Sequence, residues 1–493
     1  MPGIRALAAT IALLSAACSS HTQYRCTGSD QCVLGGVAGV CQAQGFCSFP
    51  DSSCPSGQKF ESNAGDSLAG TCVMVDASTV CGGTTEACCA AQPACLAGNY
   101  CASATCQTCV QQVAFGRRFS CTLKADGSVW CAGANDVGQL GVGATSNTPT
   151  AMLAQVRDAN AAIADVTAIG AGRDHACAVR AGGSVWCWGA NASGQLGNNA
   201  TFPMAPATIP PSAIAVQVVQ TDGTPLMGIV AVTGGYDYTC GLDDAGGVWC
   251  WGQNGSGSLG DGTTTTRSTA APVLQSAGGA PLAGASDLVA GGGHTCVQIG
   301  GDAWCWGNNG NGQLADGTTT NQPSPLKVAT TASLAAGMWH TCLVNADTSV
   351  SCVGWGSHGR LGNGQGASYE GTDSHTPVPV LQSAGGSPLM GASKVAAGAE
   401  SCALMANGHV MCWGDDPYGQ TGTGVGSTVP VEVIRHDGMP LSDVVSLYAH
   451  WTHACARTSR GEVLCWGRGL EGEFGDGTFS NRGEATPMAV SCP

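Results

Sequence analysis

At 493 residues the chain exceeds one ordinary domain. Its 75 glycines, 43% hydrophobic residues and 10% charged residues suit many short strands joined by tight turns, and exclude long amphipathic helices. A net charge of −15 with 18 scattered basic residues excludes a nucleic-acid surface of clustered Lys and Arg, and disfavours adhesion to anionic lipid.

The chain opens on Arg5, the apolar run Ala6 to Leu14, and Ser15-Ala16-Ala17-Cys18. Residues 1–17 read as a signal peptide, too short to span a bilayer. The small residues before Cys18 resemble a bacterial lipoprotein box, although Leu14 stands one place further away than that pattern prefers. Cys18 is expected to carry lipid, followed by a linker over 18–25, which places the protein at the outer membrane or cell surface. Cleavage after Ala17 with free secretion is the alternative. No other segment is expected to cross a membrane, so a lipid on Cys18 is the only expected membrane contact.

Export makes disulfides the default reading of 29 cysteines. Thirteen crowd between Cys26 and Cys109, where large apolar residues are few. A disulfide-stapled module over 26–109 follows, with its connectivity open. Zinc at Cys106-x-x-Cys109 is the rival, weak without a second matching knuckle. Fourteen cysteines then recur as seven pairs, leaving Cys492 over. Parity sends Cys492 to a partner in the N-terminal module.

The seven pairs mark a repeat over 110–493. They are Cys121 with Cys131, Cys177 with Cys187, Cys240 with Cys250, Cys296 with Cys305, Cys342 with Cys352, Cys402 with Cys412 and Cys455 with Cys465. Around each recur Gly, two residues, often His, a small residue and Cys, then a turn and Cys-Trp-Gly. If Cys121 faces Cys131, then Lys124 pairs with Ser128 and Ala125-Asp126-Gly127 forms the loop. The last position of such a loop needs positive φ, which Gly supplies. Gly127, Gly183, Gly246, Gly408 and Gly461 stand there, while Thr348 is expected to be strained or differently turned. Cys296 and Cys305 are one residue closer, and the same register leaves Gly300-Gly301 as a two-residue turn. Seven disulfides within hairpins follow. Strands apolar on both faces need cover on both, which blade-on-blade packing provides.

Gly337-Met338-Trp339-His340-Thr341 and Asn308-Asn309-Gly310-Asn311-Gly312-Gln313-Leu314 resemble the regulator of chromosome condensation repeat family. The resemblance covers 113–490 and implies an all-β, seven-bladed propeller. It also implies closure by a C-terminal strand joined to the first blade. Pro487-Met488-Ala489-Val490 is the candidate strand in front of Val113. That closure points to a Cys109–Cys492 disulfide, with Cys106 as alternative partner. Family members that promote nucleotide exchange on a small GTPase meet that partner inside cells, so the activity is not carried over.

No arrangement for catalysis, metal or cofactor stands out. His175, His294, His340 and His453 recur around a ring and cannot converge on one metal; bonding of their nitrogens to nearby backbone is expected. The Asp-Gly-Thr steps at Asp261, Asp316 and Asp476 read as turns rather than calcium loops. Four insertions share a pattern: Asp222 to Leu226, Gly278 to Leu282, Gly385 to Leu389 and Asp437 to Leu441. Small hairpins on one rim are expected there, and Asp222, Leu226, Leu282, Leu389, Asp437 and Leu441 are the candidate binding residues. The expected function is a monomeric, non-enzymatic scaffold presenting loops to a protein or glycan. A structural or adhesive envelope component acting through the Cys-rich module is the alternative.

Overall fold

The computed structural model describes residues 110–202, 208–366 and 372–488 throughout, and before them the backbone of short strands between residues 33 and 108. The chain divides into two compact units, 1–81 and 82–493. In the first, Val40–Cys41, Cys47–Pro50 and Gln58–Phe60 form a three-stranded sheet. In the second, Asn99–Ala102 and Thr105–Thr108 pair as a hairpin with Cys101 opposite Cys106 in register. Cys18, Cys109 and Cys492, and with them the lipid site and the Cys109–Cys492 pairing, lie outside the described residues.

Seven four-stranded antiparallel sheets follow, over 110–155, 166–217, 229–272, 285–330, 333–379, 392–432 and 444–487. Each is an up-and-down meander, and we number them blades 1 to 7. The first strand of each lies innermost, and together they line a central channel of about 370 Å³. The Gly-x-x-His loops join the first two strands on one face, called upper below. The three-residue turns and the Pro-Leu insertions lie on the lower face.

Every hairpin adopts the expected register. Lys124 N–H donates to Ser128 O over 2.9 Å, and Gly127 takes φ +77°. Gly300 and Gly301 take φ +59° and +87°, so the shorter pair keeps Cys296 opposite Cys305. Thr348 makes the same turn as its glycine counterparts, at φ +68°. A β-branched residue in the left-handed region is strained. Thr348→Gly is therefore expected to stabilise by about 1 kcal/mol, reduced by the lost Gly391 N–H to Thr348 Oγ1 bond. An unchanged or lowered denaturant midpoint would show that the hydroxyl bond outweighs the strain.

All seven cysteine pairs are bonded as the spacing led us to expect. Cys121 joins Cys131 in blade 1, Cys177 joins Cys187 in blade 2, and Cys240 joins Cys250 in blade 3. Cys296 joins Cys305 in blade 4 and Cys342 joins Cys352 in blade 5. Cys402 joins Cys412 in blade 6 and Cys455 joins Cys465 in blade 7. Each pair faces directly across the two middle strands of its blade, with Cα–Cα distances of 4.0 to 4.1 Å. All fourteen residues are buried between blades. Their strands alternate as expected: Val185 and Cys187 face the neighbouring blade, while Trp186 is half-buried on the other side.

Neighbouring blades are joined by a repeated relay, for which the Asn-x-x-Gly-Gln-Leu-Gly tail supplies the acceptor. The Gln195 carbonyl of blade 2 accepts from the Trp251 indole (2.9 Å) and the Thr239 hydroxyl (3.0 Å) of blade 3. Thr239 Oγ1 in turn accepts from His175 Nε2 of blade 2 at 2.9 Å. His294 reaches Thr341, and His340 reaches Ser401, in the same way. His175, His294 and His340 therefore bond a hydroxyl of the next blade, not backbone as the sequence led us to expect, while the ring nitrogens of His453 have no hydrogen-bond partner among the described residues. The preceding Gly makes room: a Cβ on Gly172 would lie 2.1 Å from His175 Cε1.

Closure differs from the expected strand exchange. Blade 1 has four strands of its own, and Arg482–Pro487 is the outer strand of blade 7, with Pro487 opposite Leu464. The Pro-led segments end the blade they leave rather than opening the next. Met488 N–H donates to Val463 O as Val273 N–H does to Val248 O. Its side chain packs against Val110, Val113 and Phe115 of blade 1. The tail thus fills an interblade slot, which needs one apolar residue and no added strand. At this seam blade 1 has Ala132 where most blades carry the inner Trp, and blade 7 has Phe474 where others carry Leu, so bulk is exchanged across it.

Candidate functional site

The two residues inside each Gly-x-x-His loop project at the upper mouth of the channel, where the sequence varies from blade to blade. They are Arg117-Arg118, Arg173-Asp174, Tyr236-Asp237, Gly292-Gly293 and Met338-Trp339 in blades 1 to 5. Blade 6 is one residue shorter, and blade 7 has His450-Trp451-Thr452 with His in place of Gly.

These side chains meet over the axis. Tyr236 of blade 3 stacks on Trp451 of blade 7, with centroids 4.9 Å apart and planes at 26°. Rings from opposite blades reach that distance only across the channel mouth. Trp339 of blade 5 approaches Tyr236 edge-on at 6.2 Å and Trp355 at 4.7 Å. The Arg360 guanidinium lies 4.1 Å from the Trp355 ring centroid, and Arg173 5.8 Å from that of Tyr236. Trp451 holds φ +59°, an outlier for a bulky residue, and its buried indole nitrogen has no partner among the described residues. His450 Nδ1 bonds the Phe115 carbonyl at 2.9 Å, tying blade 7 to blade 1 beneath this cap.

Around the aromatic centre runs a ring of ion pairs. Arg118 Nη2 donates to both carboxylate oxygens of Asp136, at 2.8 Å each. Arg173 pairs with Asp174 at 3.1 Å and Asp237 at 3.0 Å, crossing from blade 2 to blade 3. Burial pushes the Asp237 carboxyl up despite Arg173 beside it. Between blades 5 and 6 the repeat chemistry is inverted. Arg360 replaces the usual Gln and Glu400 replaces the usual His. Glu400 is fully buried, its carboxyl oxygens lack hydrogen-bond partners among the described residues, and burial pushes it up to about 8. The carboxyl is therefore mostly protonated at neutral pH, so no isolated buried charge results.

The lower face departs from expectation. The four insertions do form small hairpins, with bridges such as Val219 to Pro225 and Leu274 to Pro281. Their leucines, however, are core. Leu226, Leu282, Leu389 and Leu441 are at most 5% exposed and plug the seams between blades, so they are not available to a partner. The reason is the bond that folds each insertion back, as where Leu226 N–H donates to Val218 O at 3.0 Å. Asp222 and Asp437 are exposed but occupied with their own turns. Asp222 accepts from the Thr224 amide and hydroxyl, and Asp437 from the Met439 amide. Those bonds hold both carboxyls below the usual range.

Among the described residues, no three His, Cys, Asp or Glu side chains gather closely enough to hold a metal ion. Asp261 is spent on Thr263 and Arg267, as a turn residue is.

The regulator of chromosome condensation (RCC1) repeat matches residues 110–139, 166–195, 229–258 and 393–420 in one family model, and 126–179, 182–242 and 300–344 in a second. The Arabidopsis thaliana ultraviolet-B receptor UVR8 is 31% identical over 338 residues, 66% of this chain and 70% of the receptor. The chain belongs to the RCC1-repeat family. Among its other RCC1-repeat relatives is the human E3 ubiquitin-protein ligase HERC2, 30% identical over 372 residues, which are 72% of this chain and 7% of the ligase. The RCC1-repeat fold recurs in human WBSCR16 (TM-score 0.58, 19% identity, 74% of this chain and 93% of that one). It also recurs in Prp20p of Saccharomyces cerevisiae (TM-score 0.55, 18% identity, 75% and 87%).

Within each repeat, the variable pair inside Gly-x-x-His is the sequence signal that marks the upper face. The regular His beside it is the more conspicuous feature and hides it.

Proposed function

We propose that this RCC1-repeat chain is an exported, non-enzymatic binding scaffold that engages a protein through the upper mouth of its propeller. The observation that carries this reading is the convergence of Tyr236, Trp339 and Trp451 over the axis, ringed by Arg117, Arg118 and Arg173. Trp, Tyr and Arg at the centre of one face are the residues that dominate protein interfaces. Protein binding is also what the relatives suggest, since Prp20p is described by its binding to Gsp1p and histones. Seven disulfides support export, because such bonds persist in oxidising compartments. Attachment through Cys18 belongs to the same proposal, and the intact mass of the mature protein tests it.

The face is tested by affinity capture from surface extracts with the oxidised, mature chain as bait. A triple variant, Arg117→Ala with Arg173→Ala and Trp339→Ala, is expected to lose a protein that wild type retains. The lower-face control, Asp222→Ala with Met227→Ala and Met439→Ala, should retain it too. A loss of about 2 kcal/mol or more in affinity is expected, since the upper-face changes remove central aromatic and arginine contacts. Retention by the upper-face variant with loss from the lower-face one would reverse the assignment.

A further inference from the structure

Blade 6 breaks the family pattern on its outer side as well. In blades 1 to 4 the residue before the second Cys is Trp130, Trp186, Trp249 or Trp304, and in blades 1 and 2 a basic side chain covers the ring. Lys124 stands 4.5 Å from the centroid of Trp130, and Arg180 5.6 Å from that of Trp186. In blade 6 Met411 replaces the Trp, Met405 replaces the basic residue, and His409 stands where blades 1 and 2 carry Ser.

The hairpin puts the three on one side. Met405 N–H donates to His409 O at 2.9 Å across the turn, and His409 stands just before the strand Val410–Gly414, two residues ahead of Met411. Val410 and Cys412, the intervening positions, are buried between blades. The Pro-Leu insertion before blade 6 brings a fourth group, because Leu389 is anchored in the core and Met390 beside it is left 44% exposed. Met390, Met405, Met411 and His409 line one open cleft of about 480 Å³ together with Glu432.

Two features go beyond apolar packing. His409 Nδ1 is bonded to Glu432 Oε1, the residue paired with Met411 on the outer strand. A carboxylate accepts, so Nδ1 carries the proton and Nε2 is the atom available to a ligand. That is the way a carboxylate orients a metal-binding imidazole. In addition, every cysteine of the blades is tied up as disulfide, so the soft sulfur this region can offer is thioether.

From this we infer that the cleft of Met390, Met405, Met411 and His409 is a binding site for a soft monovalent metal ion, Cu(I). Thioether sulfurs favour Cu(I) over the harder divalent ions, and imidazole is compatible with it. Glu432 is a positioning residue, holding His409 in the tautomer that presents Nε2 to the metal.

The test uses the mature, full-length chain, oxidised and with any free thiol alkylated by iodoacetamide. Cu(I) is added anaerobically as its acetonitrile complex against a chromophoric Cu(I) chelator, so no reductant reaches the disulfides. Met405→Leu with Met411→Leu preserves bulk and removes both sulfurs; about a 100-fold loss of affinity at one site is expected. Glu432→Gln is expected to cost about 10-fold while leaving copper–sulfur scattering in the X-ray absorption spectrum. Met152→Leu, an exposed methionine of blade 1, is expected to change nothing. Unchanged Cu(I) binding by the double variant would assign the ion elsewhere in the chain. Tighter binding of Cu(II) than of Cu(I) would assign it to His409 and Glu432 alone. Absence of binding at micromolar metal would make the methionines packing residues. Any of these three results overturns the assignment.

Discussion

Acidification from pH 6.5 to pH 4.5 is expected to cost the propeller about 4 kcal/mol of stability per pH unit. The source is the ring of buried imidazoles that joins the blades. Burial holds His175, His340 and His453 down to about 3 and His294 to about 4. In the unfolded chain the same groups titrate near 6.5. The native state therefore declines four protons that the unfolded state accepts. Their stabilisation is complete above pH 6.5 and is lost as pH falls toward 3 to 4. Each such proton is worth about 1.4 kcal/mol per pH unit.

Glu400 runs the other way. Its carboxyl keeps a proton up to about pH 8 that the unfolded chain releases near 4.5. Its contribution is complete below pH 4.5 and is lost as pH rises through 8, which offsets one of the four protons in the window above. With total stabilities of about 5–15 kcal/mol typical, the propeller should unfold near pH 4 to 5. Denaturant melts at half-unit intervals of pH read the slope directly. Glu400→Gln should steepen it by one proton, and His294→Gln should lower it by one. A wild-type slope below one proton would mean that water reaches these rings.

Reduction is expected to have the second large effect, and only after unfolding. The fourteen half-cystines of the blades are at most 1% exposed, so a thiol reductant cannot reach them in the native state. Each bond closes a short loop, and the chain-entropy model assigns it about 3 kcal/mol at most. Removing one bond, as by Cys240→Ala together with Cys250→Ala, should therefore lower stability by about 2–3 kcal/mol. Removing all seven would exceed the total stability of an ordinary domain. The native protein is expected to survive millimolar reductant for hours at neutral pH. Reduced in guanidinium and diluted into reducing buffer, it should not regain its β-sheet circular dichroism. Refolding under those conditions would show that the blades hold by packing alone, through Trp188, Trp251, Trp306, Trp413 and Trp466.

The hairpin register was legible because it is local. With Cys121 and Cys131 ten residues apart and Gly127 between them, few turn geometries can join the strands, and the deletion at Gly300-Gly301 keeps the same pairing. The same spacing was enough to couple Cys342 to Cys352 even though Thr348 replaces the turn glycine, and Cys455 to Cys465 around Gly461. Counting seven such units and noting strands apolar on both faces leads to a closed ring. The burial of the rim leucines was not legible because exposure is not local. Leu226 and Leu441 look like loop residues in sequence, yet a single backbone bond to the preceding strand folds each into a seam between blades.

By itself, then, the sequence determined the repeat, the turns, the seven cysteine couples and the all-β propeller, since each depends on residues within one hairpin or on a period. Only the tertiary structure decided how the ring closes at Met488, and that His175 bonds Thr239 of the next blade. It also decided that Tyr236 and Trp451 cap the channel while Met390 joins Met405, His409 and Met411. Those contacts join different blades or the seam between them. Their existence depends on the angle through which successive sheets rotate about the axis, a quantity set by interblade packing and carried by no single segment.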